Sequence, residues 1–447
     1  MNGADLGLVW LIPFVGILLS IALLPLITPA FWHRHFGKVA AFWALAFLLP
    51  FTAAAGPGLA AHALVHTLLG EYLPFIILLL ALFTVAGGIA IRGNLHGAPG
   101  LNTVILGIGT LLANVMGTTG ASMLLIRPLI RANEHRKHNA HVIMFFIFLV
   151  SNIGGALTPL GDPPLFLGFL QGIDFFWTAT HLFKPTLLLS VLLLAIFFVL
   201  DWYFYHYREE PGPVRADSVP HHRMGVAGTI NFGLLAAIIG VVLMSGVWKP
   251  GIAFAVFGTK LELQNLLRDA LLVAIALLSW KCTPKGIHLE NVFSWGPIVE
   301  VAKLFAAIFI TIIPAIAILR AGSYGALAPL VELVTAADGT PINIMYFWLT
   351  GGLSGLLDNA PTYLVFFNLA GGDPAMLMNP LAGTLAAISA GAVFMGAITY
   401  IGNAPNFMVK AIAEERGVKM PSFFGYMAWS GAILLPLFAL IAILFFR

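Results

Sequence analysis

The chain is short of charge. Lysine, arginine, aspartate and glutamate together make up 9% of its 447 residues while apolar types make up 60%, against about 25% charged residues in an ordinary soluble domain. Too little polar surface remains to cover a globule of this length in water, so the class is a polytopic membrane protein. Cysteine is nearly absent. Because Cys282 stands alone, no intrachain disulfide can form and a cysteine metal site is excluded. No Gly-Lys-Ser/Thr phosphate loop occurs, so nothing suggests direct coupling to ATP, and no cofactor or nucleic-acid partner is implied. The first apolar run, 6–28, follows Asp5 and has neither a basic flank nor a small-residue cleavage site. It is expected to be a retained helix and not a signal peptide.

What the chain does have is a segment written twice. Gly155-Ala156-Leu157-Thr158-Pro159-Leu160-Gly161-Asp162-Pro163-Pro164-Leu165-Phe166-Leu167 returns about 240 residues later as Gly396-Ala397-Ile398-Thr399-Tyr400-Ile401-Gly402-Asn403-Ala404-Pro405-Asn406-Phe407-Met408. Gly, Ala, Thr, Gly, Pro and Phe coincide in register, and Asp162 is answered by Asn403. Paired Gly/Pro interruptions at matching places in two halves of a membrane protein point to the binding site of a secondary transporter.

Roughly 20 apolar residues cross a bilayer as a helix. Spans are expected over 6–28, 38–54, 72–91, 141–173, 182–205, 228–246, 264–281, 297–320, 379–414 and 424–446. Two longer stretches, 101–131 and 342–372, break at the middle with Gly117-Thr118-Thr119-Gly120 and Asp358-Asn359-Ala360-Pro361. Each could be a straight helix, but a re-entrant hairpin with its tip at the midplane is the better reading. The positive-inside rule decides between them. With an external amino terminus and two hairpins, Arg34, Lys38, Arg92, Arg131, Arg136, Lys137, Arg208, Arg215, Arg223, Lys281, Lys285, Lys410, Arg416 and Lys419 all face the cytoplasm, leaving chiefly Lys249 and Lys260 outside. Turning either hairpin into a span would scatter them. The expected fold is an all-α polytopic membrane protein, an inverted repeat of five spans plus one re-entrant hairpin per half. The halves are 1–206 and 227–447, the interrupted helices 141–173 and 379–414, and the cytoplasmic linker 207–226 with Pro211, Pro213 and Pro220. Both termini are then external.

Charges within a membrane are costly and usually functional, so depth selects among them. Arg127 and Lys303 lie within snorkelling reach of an interface, and Glu71, Arg268, Asp269, Glu300 and Arg320 lie near helix ends, where interfacial anchoring explains them. Asp162 and Asp358 remain at mid-membrane depth. Around them the tips and breaks supply oxygen ligands of the kind hard cations prefer: Thr118, Thr119, Ser122, Asn152, Thr158, Asn359, Thr362, Thr399, Asn403 and Asn406. Singly, each of these could merely satisfy backbone groups freed by Gly and Pro, and Asp358 could simply cap a helix. As a convergent set they read as a site. A carboxyl group taken out of water favours its neutral form and a bound cation restores the charge, so such a group can exchange H⁺ for Na⁺. His135, His138 and His141, spaced by three, are expected to belong to a solvated basic loop.

At Ser151-Asn152-Ile153-Gly154-Gly155, Thr158-Pro159-Leu160-Gly161-Asp162-Pro163-Pro164 and Gly402-Asn403-Ala404-Pro405-Asn406, the chain resembles the ion-transporter superfamily, in particular its citrate-transport and D-type sodium/proton antiporter branch. The resemblance covers nearly the whole chain. It implies a homodimer in a lipid bilayer, a fixed scaffold with a moving transport domain, sodium near both hairpin tips, and alternating access by an elevator-like displacement. Sodium/dicarboxylate symporters of the superfamily carry Ser-Asn-Thr at the tips, where this chain has Gly117-Thr118-Thr119-Gly120 and Asp358-Asn359-Ala360-Pro361-Thr362. Antiporters carry an acidic residue near the first tip, a role left here to Asp162.

The leading functional expectation is a sodium/proton antiporter of a prokaryotic cytoplasmic membrane, with Asp162 and Asp358 as exchange sites and Na⁺ and H⁺ as transported or coupling ions. A sodium-coupled citrate or dicarboxylate symporter is the alternative, since hairpin N-termini and bound Na⁺ could hold an anion without Lys or Arg. A passive channel fits opposed breaks poorly. No nucleophile and base can be placed together at the breaks, so the chain is not expected to be an enzyme.

Overall fold

A computed structural model describes residues 2–93, 95–209 and 225–447 of the chain. Their backbone is overwhelmingly helical, with two two-stranded ribbons, one pairing Ala90–Arg92 with Gly225–Ala227 and the other Ala253–Val256 with Thr259–Glu262. Among the described residues eight helices are long and apolar enough to cross a membrane, or nine when Gly296–Thr311 and Ile313–Arg320, bent by 41°, count as one. Residues 210–224 of the expected linker, Arg215 and Arg223 included, lie outside the described residues.

In the first half, Leu8–Ile27, Pro29–Ala55 and Pro57–Gly87 precede the hairpin Pro99–Ala132; Ala140–Leu149 and Pro163–Leu170 flank the first break, and Trp177–Tyr207 closes the half. The second half repeats the succession with Ile230–Val247, Leu263–Cys282 and the bent pair, then the hairpin arms Asn343–Leu356 and Asn359–Leu369, then Ala382–Met395 and Ala404–Glu415 about the second break, and finally Phe423–Phe445. The all-α polytopic expectation stands.

Pro99–Ala132 is continuous by hydrogen bonding yet turns back on itself at Gly117, whose φ of 79° and ψ of 154° lie outside any helix. Asn102 and Asn133 donate to each other's side-chain oxygens at 3.0 and 2.9 Å. A straight helix would hold residues 31 apart in sequence at roughly 46 Å, so the stretch is a hairpin with adjacent ends. In the second hairpin Tyr346 and Phe366, one on each arm, bring their rings to 6.4 Å.

Two helices run further than hydropathy alone implied. The second span starts at Pro29 and not near 38, and the third at Pro57 and not near 72. His33, Arg34, His35 and Lys38, like His62, His66 and Glu71, lower the apolar signal without lowering helix propensity much, so the hydropathy boundary fell inside the helix. The third span also carries a π-turn at Leu68–Tyr72, a feature frequent at functional positions.

The outer helices are poorly buried: in Leu8–Ile27 and Pro29–Ala55 only 28% and 22% of the most apolar window is covered, and Leu19, Leu23, Leu45 and Leu49 point outward. Such a surface suits lipid and not water. The interrupted helices lie inside it. Every residue from His141 to Leu149 and from Thr384 to Met395 is buried, so the two breaks sit in the middle of the protein.

Candidate functional site

Each break is built the same way. Gly155 and Gly161 approach so closely that a Cβ on Gly161 would collide with the Gly155 carbonyl, and Gly402 stands likewise against Gly396. Only glycine permits that closeness. Proline follows at once: Pro163 and Pro164 open one following helix and Pro405 the other, at first-turn positions where a missing N–H costs nothing. Thr158 donates its hydroxyl to the Asn114 carbonyl at 2.5 Å, and Thr399 donates to the Gly355 carbonyl at 2.6 Å, each partner 44 residues back on the first arm of the preceding hairpin. The repeat in sequence is therefore a repeat in three dimensions, with each break pinned to its own hairpin tip.

Asp162 lies where the two halves meet. It is 1% exposed. Its Oδ1 accepts from Thr118 Oγ1 at 2.9 Å and Asn403 Nδ2 at 2.9 Å, and its Oδ2 from Asn359 Nδ2 at 2.5 Å. The donors come from the first hairpin tip, the second break and the second hairpin tip. Thr118 and Asn359 hold equivalent places in the two halves, as do Asp162 and Asn403. The network continues outward: Asn403 also donates to the Ser151 carbonyl and Asn152 Oδ1, Asn152 donates to Asn406 Oδ1 at 2.7 Å, and Ser122 meets Ser151 at 2.9 Å. Asn406 Nδ2 reaches the Gly396 and Thr399 carbonyls across the second break.

Of the residues named from sequence, Thr118, Ser122, Asn152, Asn359, Asn403 and Asn406 thus join Asp162 in one connected cluster. Thr158, Thr362 and Thr399 instead give their hydroxyls to backbone carbonyls, which neutralises polar backbone inside the protein. Asp358 caps Asn359–Leu369, accepting the Ala360 N–H at 3.0 Å, and remains partly exposed. Thr119 is half-buried and lines the neighbouring cavity.

That cavity has a volume of about 90 Å³ and lies between the first hairpin tip, the first break, Leu78–Phe83 and the start of Gly296–Thr311. Its walls are mainly apolar, and among the described residues lining it Asp162 is the one ionisable group. A water needs roughly 10–15 Å³ on this measure, so the space suits a few waters or a small hydrated ion. Helices also begin here at Pro163, Ala404 and Asn359, so helix N-termini carrying partial positive charge surround the carboxylate.

Other residues escaped the sequence reading. Asn114, an isolated polar residue in an apolar run, pins the first break by accepting from the Thr158 hydroxyl and the Leu157 N–H, and Ser151, read from sequence only as part of the motif at 151–155, joins the cluster through Ser122 and Asn403. Glu71 is not at a helix end: it sits in the π-turn of Pro57–Gly87 and accepts from Gln171, at the end of the first interrupted helix, at 3.2 Å. Arg268 is no interfacial anchor either. It is buried, pairs with Asp269 at 2.8 Å, and shares with Glu71 the wall of a second cavity of about 780 Å³. His141 is buried against Asp201 and does not lie in solvent with its neighbours in the sequence.

Residues 3–446 match a family described as "Putative citrate transport". The chain belongs to this family. Among curated proteins, an uncharacterized transporter of Mycobacterium bovis and one of Mycobacterium tuberculosis are each 25% identical over 346 residues, covering 76% of this chain and 74% of theirs. With its apolar helices, this membership makes the protein an integral membrane transporter, and points to transport rather than catalysis.

Proposed function

We propose that the protein is a sodium/proton antiporter in which Asp162 carries the exchange, with Asp358 at the adjoining hairpin tip as the second carboxylate. One observation carries the reading: the buried Asp162 carboxylate binds both hairpin tips and the opposite break at once, beside a cavity whose described walls hold no basic side chain. As an ion, Asp162 is acceptor only and can hold all three donors. When protonated it must itself donate, so either Thr118 turns its hydroxyl to accept or one of the facing amides, Asn359 or Asn403, has to turn or leave. A bound Na⁺ asks the same amides to present oxygen and not nitrogen. Proton and sodium are thereby mutually exclusive at one carboxylate, and each imposes its own arrangement of the two tips.

Moving one half alone would strip the carboxylate of donors from the other. A buried charge deprived of partners costs about 3–5 kcal/mol, which favours both hairpins and both breaks moving as one body. Against them the outer helices, such as 38–54 and 264–281, serve as the fixed scaffold of a homodimer. The Glu71–Gln171 bond joins scaffold to moving body in the present arrangement. In this reading the basic loops with Arg92, Arg131 and Arg136 face the cytoplasm and both termini lie outside, as the positive-inside rule favours, and the membrane is the cytoplasmic membrane of a prokaryote.

A sodium-coupled citrate or dicarboxylate symporter is the second reading, favoured by the family description and by the helix N-termini around the site. It needs Na⁺ to neutralise Asp162 before an anion enters. Purified proteoliposomes separate the two: Na⁺-driven collapse of a preset pH gradient without organic acid supports antiport, while Na⁺-dependent uptake of labelled citrate with no proton flux overturns it.

A further inference from the structure

On the face that carries the basic loops opens a cavity of about 590 Å³ whose lining includes neither Asp162 nor its partners. One side is the loop after the first hairpin, the other the loop after Ala404–Glu415, so both halves contribute. The first loop is held rigidly. Arg136, 4% exposed, pairs with Asp201 at 2.6 Å, and the Glu209 carboxylate accepts the backbone N–H groups of Lys137 and His138 at 2.9 Å each. His141 also reaches Asp201, at 2.8 Å. Asp201 and Glu209 thus lie behind the loop and offset Arg136. Lys137, Arg416 and Lys419 face the cavity from its rim, opposed by Glu134, and among the described residues none of the three basic groups is in an ion pair.

Below the rim the lining changes character. Met144, Phe204 and Trp429 form apolar walls. Trp429 lies six residues into Phe423–Phe445, about 9 Å along the helix axis, so the cavity descends from a basic mouth along membrane-spanning helices. A free anion would use only the mouth. A phospholipid would use both, its phosphate against the basic rim and its acyl chain along the apolar wall. Basic pockets between spanning helices on the cytoplasmic side bind anionic headgroups in this way.

We propose that this cavity is a binding site for an anionic phospholipid, with Lys137, Arg416 and Lys419 holding the headgroup. The site is independent of which ions the transporter exchanges. Its two walls continue directly into Ala140–Leu149, which runs into the first break, and Ala404–Glu415, which runs out of the second. A lipid held here therefore ties together the two segments that bear the breaks.

The test uses the full-length protein in a neutral detergent, titrated with phosphatidylglycerol, phosphatidylcholine or inorganic phosphate, and read by native mass spectrometry and melting temperature. Phosphatidylglycerol is expected to remain bound and raise the melting temperature, with the other two doing neither. Arg416 and Lys419 are exposed, so Arg416→Gln combined with Lys419→Gln should fold normally and weaken phosphatidylglycerol by about thirtyfold, given the usual contribution of each basic group near an anionic headgroup. Lys137→Gln, tested separately, should weaken it several-fold. Equal retention of phosphatidylcholine, unchanged binding in the variants, or a shift reproduced by inorganic phosphate would each overturn the proposal.

Discussion

Replacing Asp162 with Asn separates the charge at the centre of the site from the shape that holds it. Thr118 and Asn403 both donate to Oδ1, so an amide placed with its oxygen there keeps both bonds. Its nitrogen then faces Asn359 Nδ2, donor to donor, across the present 2.5 Å contact. Asn359 can relieve this by rotating its amide and offering oxygen. Three bonds to a charged acceptor become three neutral ones, a loss on the order of 1 kcal/mol each. Against this, the desolvation of a buried carboxylate, itself several kcal/mol, disappears. The two terms oppose and are similar in size, so the folded state should survive. Asp162→Asn is therefore expected to melt within a few degrees of the parent protein and to elute as the same oligomer. In proteoliposomes loaded with a pH dye, its response to a Na⁺ pulse should fall to that of empty liposomes. Undiminished Na⁺-driven proton flux in a folded Asp162→Asn protein would refute the assignment of exchange to this carboxylate. Loss of flux together with a collapsed melting transition would show that the residue is structural.

Gly117→Ala places a Cβ at a φ of 79° and ψ of 154°, a region essentially reserved for glycine, and 3.2 Å from the Leu160 carbonyl, and is expected to destabilise the first tip by about 1–3 kcal/mol, seen as a lower melting temperature with slowed transport. Asn403→Asp sets a second carboxylate against Asp162, and melting curves in NaCl against choline chloride should then show a larger Na⁺-dependent stabilisation than in the parent; no change would separate the second break from the ion site. In a Cys282→Ser background, single cysteines at 131–138 should label only from the cytoplasm and those at 321–341 only from outside, and cytoplasmic labelling at 321–341 would end the two-hairpin topology. Structures in opposite-facing states should superpose on 38–54 and 264–281, with both hairpins and both breaks displaced together and the Glu71–Gln171 bond broken; hairpins moving separately about stationary breaks would defeat the elevator reading.

Several features were legible because they depend on residues near one another in the chain. Composition alone required a membrane. Gly117 and the Gly-Asp-Pro-Pro and Gly-Asn-Ala-Pro segments announced interruptions through backbone preferences that act within a few residues. The repeat marked Asp162 and Asn403 as partners before any coordinates, because the same local geometry needs the same glycines and prolines. Hydropathy is less informative about helix ends, since His, Arg and Glu are polar without being helix breakers, and so Glu71 reads in the sequence as a residue near a helix end although it lies in the π-turn of a longer helix.

What only the tertiary structure decided is which polar atoms meet. Asp162 takes its donors from residues 44, 197 and 241 positions away, separations at which sequence pattern carries no distance information. Thr118, Asn359 and Asn403 reach the carboxylate while Thr158, Thr362 and Thr399, of the same chemical kind, turn to nearby carbonyls, because orientation at a helix terminus is set by the elements packed against it. The same holds for Arg136 and His141: in the sequence they read as members of a basic loop, and packing of the segment after the first hairpin against Trp177–Tyr207 buries both against Asp201. The amino-acid sequence determined that this chain spans a membrane and where its helices break; the packing of two halves around those breaks determined that one carboxylate answers to both.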